Sequence, residues 1–122
     1  MLRHSRMLEL GSPAPDFTLP DGEGRMYSLA DLNLGKGLVV AFLCNHCPFV
    51  QHIAASFARV AADHATRGIR TVAISSNVIE AHPEDSPAHM REFARKHGFT
   101  FPYLYDESQK VALAYEAICT PD

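Results

Sequence analysis

Cys44 and Cys47 stand two residues apart in Cys44-Asn45-His46-Cys47-Pro48. Thiols at C-x-x-C spacing can close to a disulfide with little backbone movement, because the short spacer brings both sulfurs onto one turn. The reactive form of a cysteine is the thiolate, and the free N–H groups and positive dipole end of a helix N-terminus favour it. Pro48 is a good first helical residue, since its missing N–H is one that the first turn leaves unpaired anyway. The chemistry these residues can do is thiol–disulfide exchange. Cys44 is expected to be the more exposed, attacking thiolate, and Cys47 the thiol that resolves the mixed disulfide. His46, as an imidazolium or as a hydrogen-bond donor, is expected to lower the pKa of Cys44 and make the disulfide more oxidising.

Other uses of the pair are weaker. Half of a zinc site would need a second C-x-x-C or an H-x-x-x-H, and Cys119 is the only other cysteine. A c-type haem needs histidine directly after the second cysteine, where Pro48 stands. Two structural core cysteines at this spacing remain an alternative. Among the other histidines, His52 reads as an exposed helix residue, though with both thiols and His46 it would suit a soft metal ion. His82, Glu84, Asp85 and His89 read as a solvated loop and helix start rather than a metal site. Tyr103 and Tyr105 read as aromatics at the edge of the core. The site is therefore expected to hold no metal and no cofactor beyond its own disulfide.

The elements around the dithiol must place it at a strand-to-helix junction. Leu38 to Leu43 form an apolar run of the kind buried on both faces of a parallel sheet. A helix is expected from about Pro48 to Arg67, with Phe49, Val50, Ile53, Ala54, Phe57, Val60 and Ala61 as its apolar face and Gly68 as its stop. Ile69 to Ser75 is a second buried strand, so strand, helix and strand make a right-handed βαβ unit. Ser86 and Pro87 open a further helix with Met90, Phe93, Ala94 and His97 as its stripe, ended by Gly98. Phe101 to Tyr105 is a brief strand. Ser108 to Ala117 is a last helix, with Val111, Ala114, Tyr115 and Ile118 on one side. Before the dithiol, residues 1–15 look irregular. Asp16 to Leu19 and Arg25 to Leu29 read as a hairpin around the turn Pro20-Asp21-Gly22-Glu23-Gly24, and Ser28 to Leu32 as one helical turn.

The chain has 122 residues, 47% of them hydrophobic, and a net charge of −3, which fits one globular domain over residues 1–122. No basic patch with interleaved aromatics marks a nucleic-acid partner. No run is long enough to span a membrane, and the opening residues, with Arg3, His4 and Arg6, lack the apolar stretch of a signal peptide. A cytoplasmic location is the default expectation, where an oxidising dithiol would serve catalysis or sensing rather than a permanent bridge.

Three motifs in order resemble the peroxiredoxin-like AhpC/TSA branch of the thioredoxin superfamily, over almost the whole chain. They are Gly11-Ser12-Pro13-Ala14-Pro15-Asp16-Phe17 with its following Leu19-Pro20-Asp21-Gly22, the segment Phe42 to Val50 around the dithiol, and Thr120-Pro121. The resemblance implies an α/β thioredoxin-like fold with an N-terminal hairpin extension. It implies that Thr120 and Pro121 form a cis-proline segment that faces the dithiol and presents backbone to an extended substrate. It also places Cys119 at the same end of the sheet, as a possible third thiol or simply a small buried residue. The sequence departs from the family in places. Ala41 and Cys44 stand three residues before Cys44 and Cys47, where a peroxiredoxin carries threonine, and Leu38 stands where a thioredoxin carries a buried acid. Any proton relay must then use His46, water or a later residue.

The expected function is that of a thiol–disulfide oxidoreductase acting on protein or small-molecule thiols and disulfides, recharged by a dithiol reductant. A thiol peroxidase and a non-enzymatic metal-binding or redox-sensing module are the alternatives. The resemblance also implies further strands and a helix beyond Asp122. A sheet without them would expose an edge and favour a homo-oligomer.

Overall fold

The computed structural model describes residues 4–122; the first three residues of the irregular N-terminal segment lie outside the described part. A hairpin opens the ordered chain, with β1 (Thr18–Pro20) antiparallel to β2 (Met26–Ser28) and Leu19 opposite Tyr27. Asp21 holds the turn, its Oδ1 accepting the backbone N–H groups of Glu23 at 2.8 Å and Arg25 at 2.9 Å. Ser28 then caps the single helical turn α1 (Leu29–Leu32) through a reciprocal capping box with Asp31.

The apolar runs form a parallel sheet in the order β3 (Gly37–Phe42), β4 (Ile69–Ser75), β5 (Tyr103–Tyr105). Val40 lies opposite Val72 and Phe42 opposite Ile74, so β3 and β4 end level with each other. The βαβ expectation holds, but burial on both faces holds only for β4, where Val72, Ala73 and Ile74 are fully buried. β3 is an edge strand, and its Val39 is 44% exposed. On its outer side, Phe42 exchanges two backbone hydrogen bonds with Asp122, at 2.9 and 3.1 Å.

Two helices cover one face of the sheet. The connection from β3 to β4 runs through α2 (Pro48–Ala65), and that from β4 to β5 through α3 (Pro87–His97). Val50, Ala54, Met90 and Phe93 join Leu43 and Tyr103 in the core there. The buried stripe of α2 is Val50, Ala54, Ala58 and Ala61. Phe49 and Val60, expected inside, are 61% and 54% exposed. Three of the four buried positions are alanines, and Phe49 and Val60 lie off this stripe. Ser86 caps α3 and Gly98 ends it at φ 74°, a left-handed conformation that glycine adopts without strain.

The other face carries the hairpin, α1 and α4 (Lys110–Ala114), with Phe17, Leu32, Phe42 and Leu104 in its core. The last helix is shorter than its spacing implies. It starts at Gln109 with no side-chain cap, and Glu116 turns left-handed just after it. Val111, Ala112 and Tyr115 pack inward, whereas Ala114 and Ile118 are exposed. Among the described residues, no helix is long and apolar enough to cross a membrane.

Candidate active site

Parallel strands that end level put the loops after β3 and β4 at one end of the sheet, the usual place for chemistry in such a fold. Residues 43–47 follow β3, and Cys47 is the N-cap residue of α2. Cys44 Sγ lies 3.3 Å from the Thr120 hydroxyl, and Cys47 Sγ donates to the Thr120 carbonyl at 3.6 Å. The Thr120–Pro121 peptide is cis. The C-terminal segment is thus brought against both thiols, as the resemblance implied. All three cysteines are unpaired thiols.

The expected division between the thiols is reversed. Cys44 is only 2% exposed, whereas Cys47 is half-buried. Burial pushes the Cys44 thiol up to about 11; the Thr120 hydroxyl opposes this and the negative charge of Asp85 adds to it. Burial also acts on Cys47, but hydrogen bonding outweighs it and the pKa is lowered. The backbone of Val50 contributes most, then the Thr120 side chain, the backbone of Phe49 and the Cys44 thiol. The backbone N–H groups at the helix N-terminus lower the thiol at the cap itself, not the one three residues earlier.

His46 does not lower the Cys44 pKa as expected, because its ring is turned to a carboxylate. The ring Nδ1 donates to Asp85 Oδ2. Asp85 comes from the loop read as solvated, yet it is fully buried on the 3₁₀ turn Pro83–Asp85 that precedes α3. Its Oδ1 accepts the backbone N–H groups of Asn45 at 2.6 Å and His46 at 3.1 Å. Its Oδ2 also accepts from Asn77 Nδ2 at 2.8 Å. Four donors on one buried carboxylate fix the spacer of the dithiol to the loop after β4. Asn45 is locked further, giving Nδ2–H to the Glu84 carbonyl and accepting from the Tyr103 hydroxyl, both at 2.9 Å. Tyr103 is therefore a buried support of the site rather than an edge aromatic.

The remaining candidates separate clearly. Cys119 lines the same cleft of about 850 Å³ as the dithiol, but the hydrogen bonds of the dithiol go to Thr120. Burial, then the charge of Asp122, raises the Cys119 thiol. His52 is exposed on α2, and His89 is exposed and hydrogen-bonds Ser86. Donor atoms of Cys44, His46 and Asp85, and of His46, His82 and Glu84, lie within 4.8 Å of one another in each set. The Asp85 oxygens already accept from four donors, and the His46 and His82 rings stack at 3.9 Å and 7°.

Asp85 and Asn77 are the site residues that the sequence reading missed. The usable signal was topological: in a parallel βαβ unit the segment after β4 must reach the same end of the sheet as the segment after β3.

Known proteins resemble this chain in sequence and fold. A conserved protein of undescribed function from Geobacillus kaustophilus has a crystal structure with TM-score 0.92 and 47% identity, matched over 97% of this chain and 63% of that one. A Mycobacterium tuberculosis protein provisionally named a peroxiredoxin is 33% identical over 107 residues, 88% of this chain and 63% of that protein. The thiol-disulfide oxidoreductase ResA of Geobacillus thermodenitrificans is 28% identical over 106 residues, 87% of this chain and 56% of that protein. The chain thus spans roughly three fifths of the length of these curated relatives. The fold is thioredoxin-like, with a C-x-x-C pair in a peroxiredoxin-like scaffold. The model of the AhpC/TSA family matches residues 10–122, dithiol and cis-proline segment included, and the chain belongs to that family.

Proposed function

We propose that the chain catalyses thiol–disulfide exchange through a redox-active Cys44–Cys47 pair, with no further cofactor. One observation carries this reading: two thiols meet on the Thr120-Pro121 segment with their pKa values moved in opposite directions. That division suits a two-step reaction. The Cys47 thiolate, at the helix cap, attacks a substrate disulfide R–S–S–R′, and R–S⁻ leaves to take a proton. Cys44 then attacks Cys47 Sγ, releases R′–SH and closes the protein disulfide. The substrate gains two electrons, the protein loses two, and a dithiol reductant restores the pair. Thr120 and Pro121 offer backbone to the substrate at the mouth of the cleft.

The name of the ResA relative supports the reading, and so does the open approach to Cys47. The test is catalysed reduction of insulin by dithiothreitol. Wild-type protein is expected to accelerate it, and Cys47→Ser and Cys44→Ser are expected to abolish turnover. Unchanged turnover in either variant contradicts a dithiol mechanism. A second reading, thiol peroxidase, draws on the other curated relative and on the lowered Cys47 thiol. Attack on a peroxide oxygen would give a sulfenic acid that Cys44 condenses to the same disulfide. Peroxide consumption with the same reductant separates the two.

A further inference from the structure

Cys44 poses a chemical problem that the dithiol alone does not solve. A thiol pushed up to about 11 is ionised to only about one part in ten thousand at pH 7. Yet in the exchange reaction proposed above, on which this inference rests, Cys44 must attack as a thiolate in the second step.

The atoms next to Cys44 supply another route. Cys44 Sγ, a ring nitrogen of His46 and a carboxylate oxygen of Asp85 all lie within 4.8 Å of one another. Asp85 itself is poorly placed to take the proton, since each of its oxygens already accepts two hydrogen bonds. What it does is hold His46. With its Nδ1 committed to the carboxylate, the ring has its other nitrogen left to accept a proton. The stacked ring of His82 fixes the same orientation from the other side. His46 is 27% exposed, so a proton it accepts has a path to solvent or to a leaving thiolate in the cleft. The space between Cys44 Sγ and the His46 ring, at most 4.8 Å to one of its nitrogens, is closed by one water or by rotation of the Cys44 thiol away from Thr120.

We propose that Cys44, His46 and Asp85 form a proton-transfer triad, in which His46 is the general base for Cys44 in the second exchange step and Asp85 is its positioning residue. The step balances as follows. The Cys44 S–H proton passes to His46, and the Cys44 sulfur forms its bond to Cys47 Sγ. The bond from Cys47 to the substrate sulfur breaks, and its electron pair leaves with that sulfur. The imidazolium returns the proton to the departing thiolate. The charged and titratable groups around His46 are Asp85 and Glu84 on the 3₁₀ turn, His82 before it, and Cys44 and Cys47 on its own loop.

An aromatic disulfide, 5,5′-dithiobis(2-nitrobenzoate), resolves the two steps. One equivalent added to reduced protein releases a first coloured thiolate as Cys47 attacks and a second as Cys44 closes the disulfide. His46→Gln and Asp85→Asn are each expected to slow the second phase at pH 7 by about 10²-fold, in line with general-base catalysis. The first phase is expected to stay within about three-fold. In both variants the second phase should rise in proportion to hydroxide, and added imidazole should restore it in His46→Ala, which a merely structural loss would not allow. If Asp85→Asn fails to fold, His46→Gln and the imidazole rescue decide. A normal second phase in His46→Gln overturns the triad while leaving the exchange reaction intact. A wild-type protein that shows neither phase overturns the exchange reading itself.

Discussion

Cys44 and Cys47 sit three residues apart in different electrostatic settings, and their titration should show it. Cys44 is buried beside the Asp85 carboxylate, and its pKa rises from 9.0 to about 11. Below pH 9 the thiol is protonated both folded and unfolded, and its contribution to stability is fully present. Between about 9 and about 11 the unfolded chain releases the proton while the folded chain keeps it, so that contribution is lost as pH rises. Urea unfolding of the reduced protein is therefore expected to show a steeper loss of stability over this window than Cys44→Ser shows. Parallel declines in the two proteins would mean that the thiol is not held protonated by the fold. That the two cysteines meet at a strand-to-helix junction was legible because C-x-x-C before proline is a local pattern. Which one has the lowered pKa was not, because that depends on where β3 ends and which residue caps α2. The role of Asp85 was equally hidden. It is 39 and 40 residues from the backbone groups that it binds, and only the βαβ crossover brings them together.

The elements themselves could be read from capping and period. Ser86 before Pro87, and Gly98 after His97, fixed α3 to the residue. This helix start matters for the site, since Ser86 directly follows Asp85. Ser86→Ala removes the acceptor of the His89 N–H and is expected to cost about 1 kcal/mol. Chemical denaturation checks this; no change in the midpoint would mean the cap contributes nothing. Hydrophobicity misled where side-chain size decides packing. Phe49 and Val60 carry the stronger apolar signal, yet the buried stripe of α2 runs through Ala54, Ala58 and Ala61. The excluded Phe49 instead lines the cleft beside Cys47. The end of α4 was overextended for a related reason. Its periodicity continues past Ala114, but Glu116 takes a positive φ and breaks the helix.

Across the whole molecule, the sheet brings three distant segments to one end: the dithiol loop after β3, the Asp85 loop after β4, and Thr120-Pro121. The central strand β4, fully buried from Val72 to Ser75, is the rigid member that sets their spacing. Phe42 ties the C-terminal segment to the edge of β3, two residues before Cys44, so the strand that presents the dithiol also positions the residues facing it. The cleft between them is open to solvent on the Cys47 side and closed over Cys44. In the proposed exchange, a substrate disulfide would therefore meet Cys47 first, with Cys44 behind it.

The order of attack is the centre of this account, and trapping the mixed disulfide tests it most directly. Cys44→Ser should accumulate a stable covalent adduct with a disulfide substrate, and peptide mapping by mass spectrometry should place it on Cys47. Cys47→Ser should accumulate little adduct on Cys44, because that thiol is buried and protonated at neutral pH. The reverse pattern, with a stable adduct on Cys44 in Cys47→Ser and none in Cys44→Ser, would contradict it.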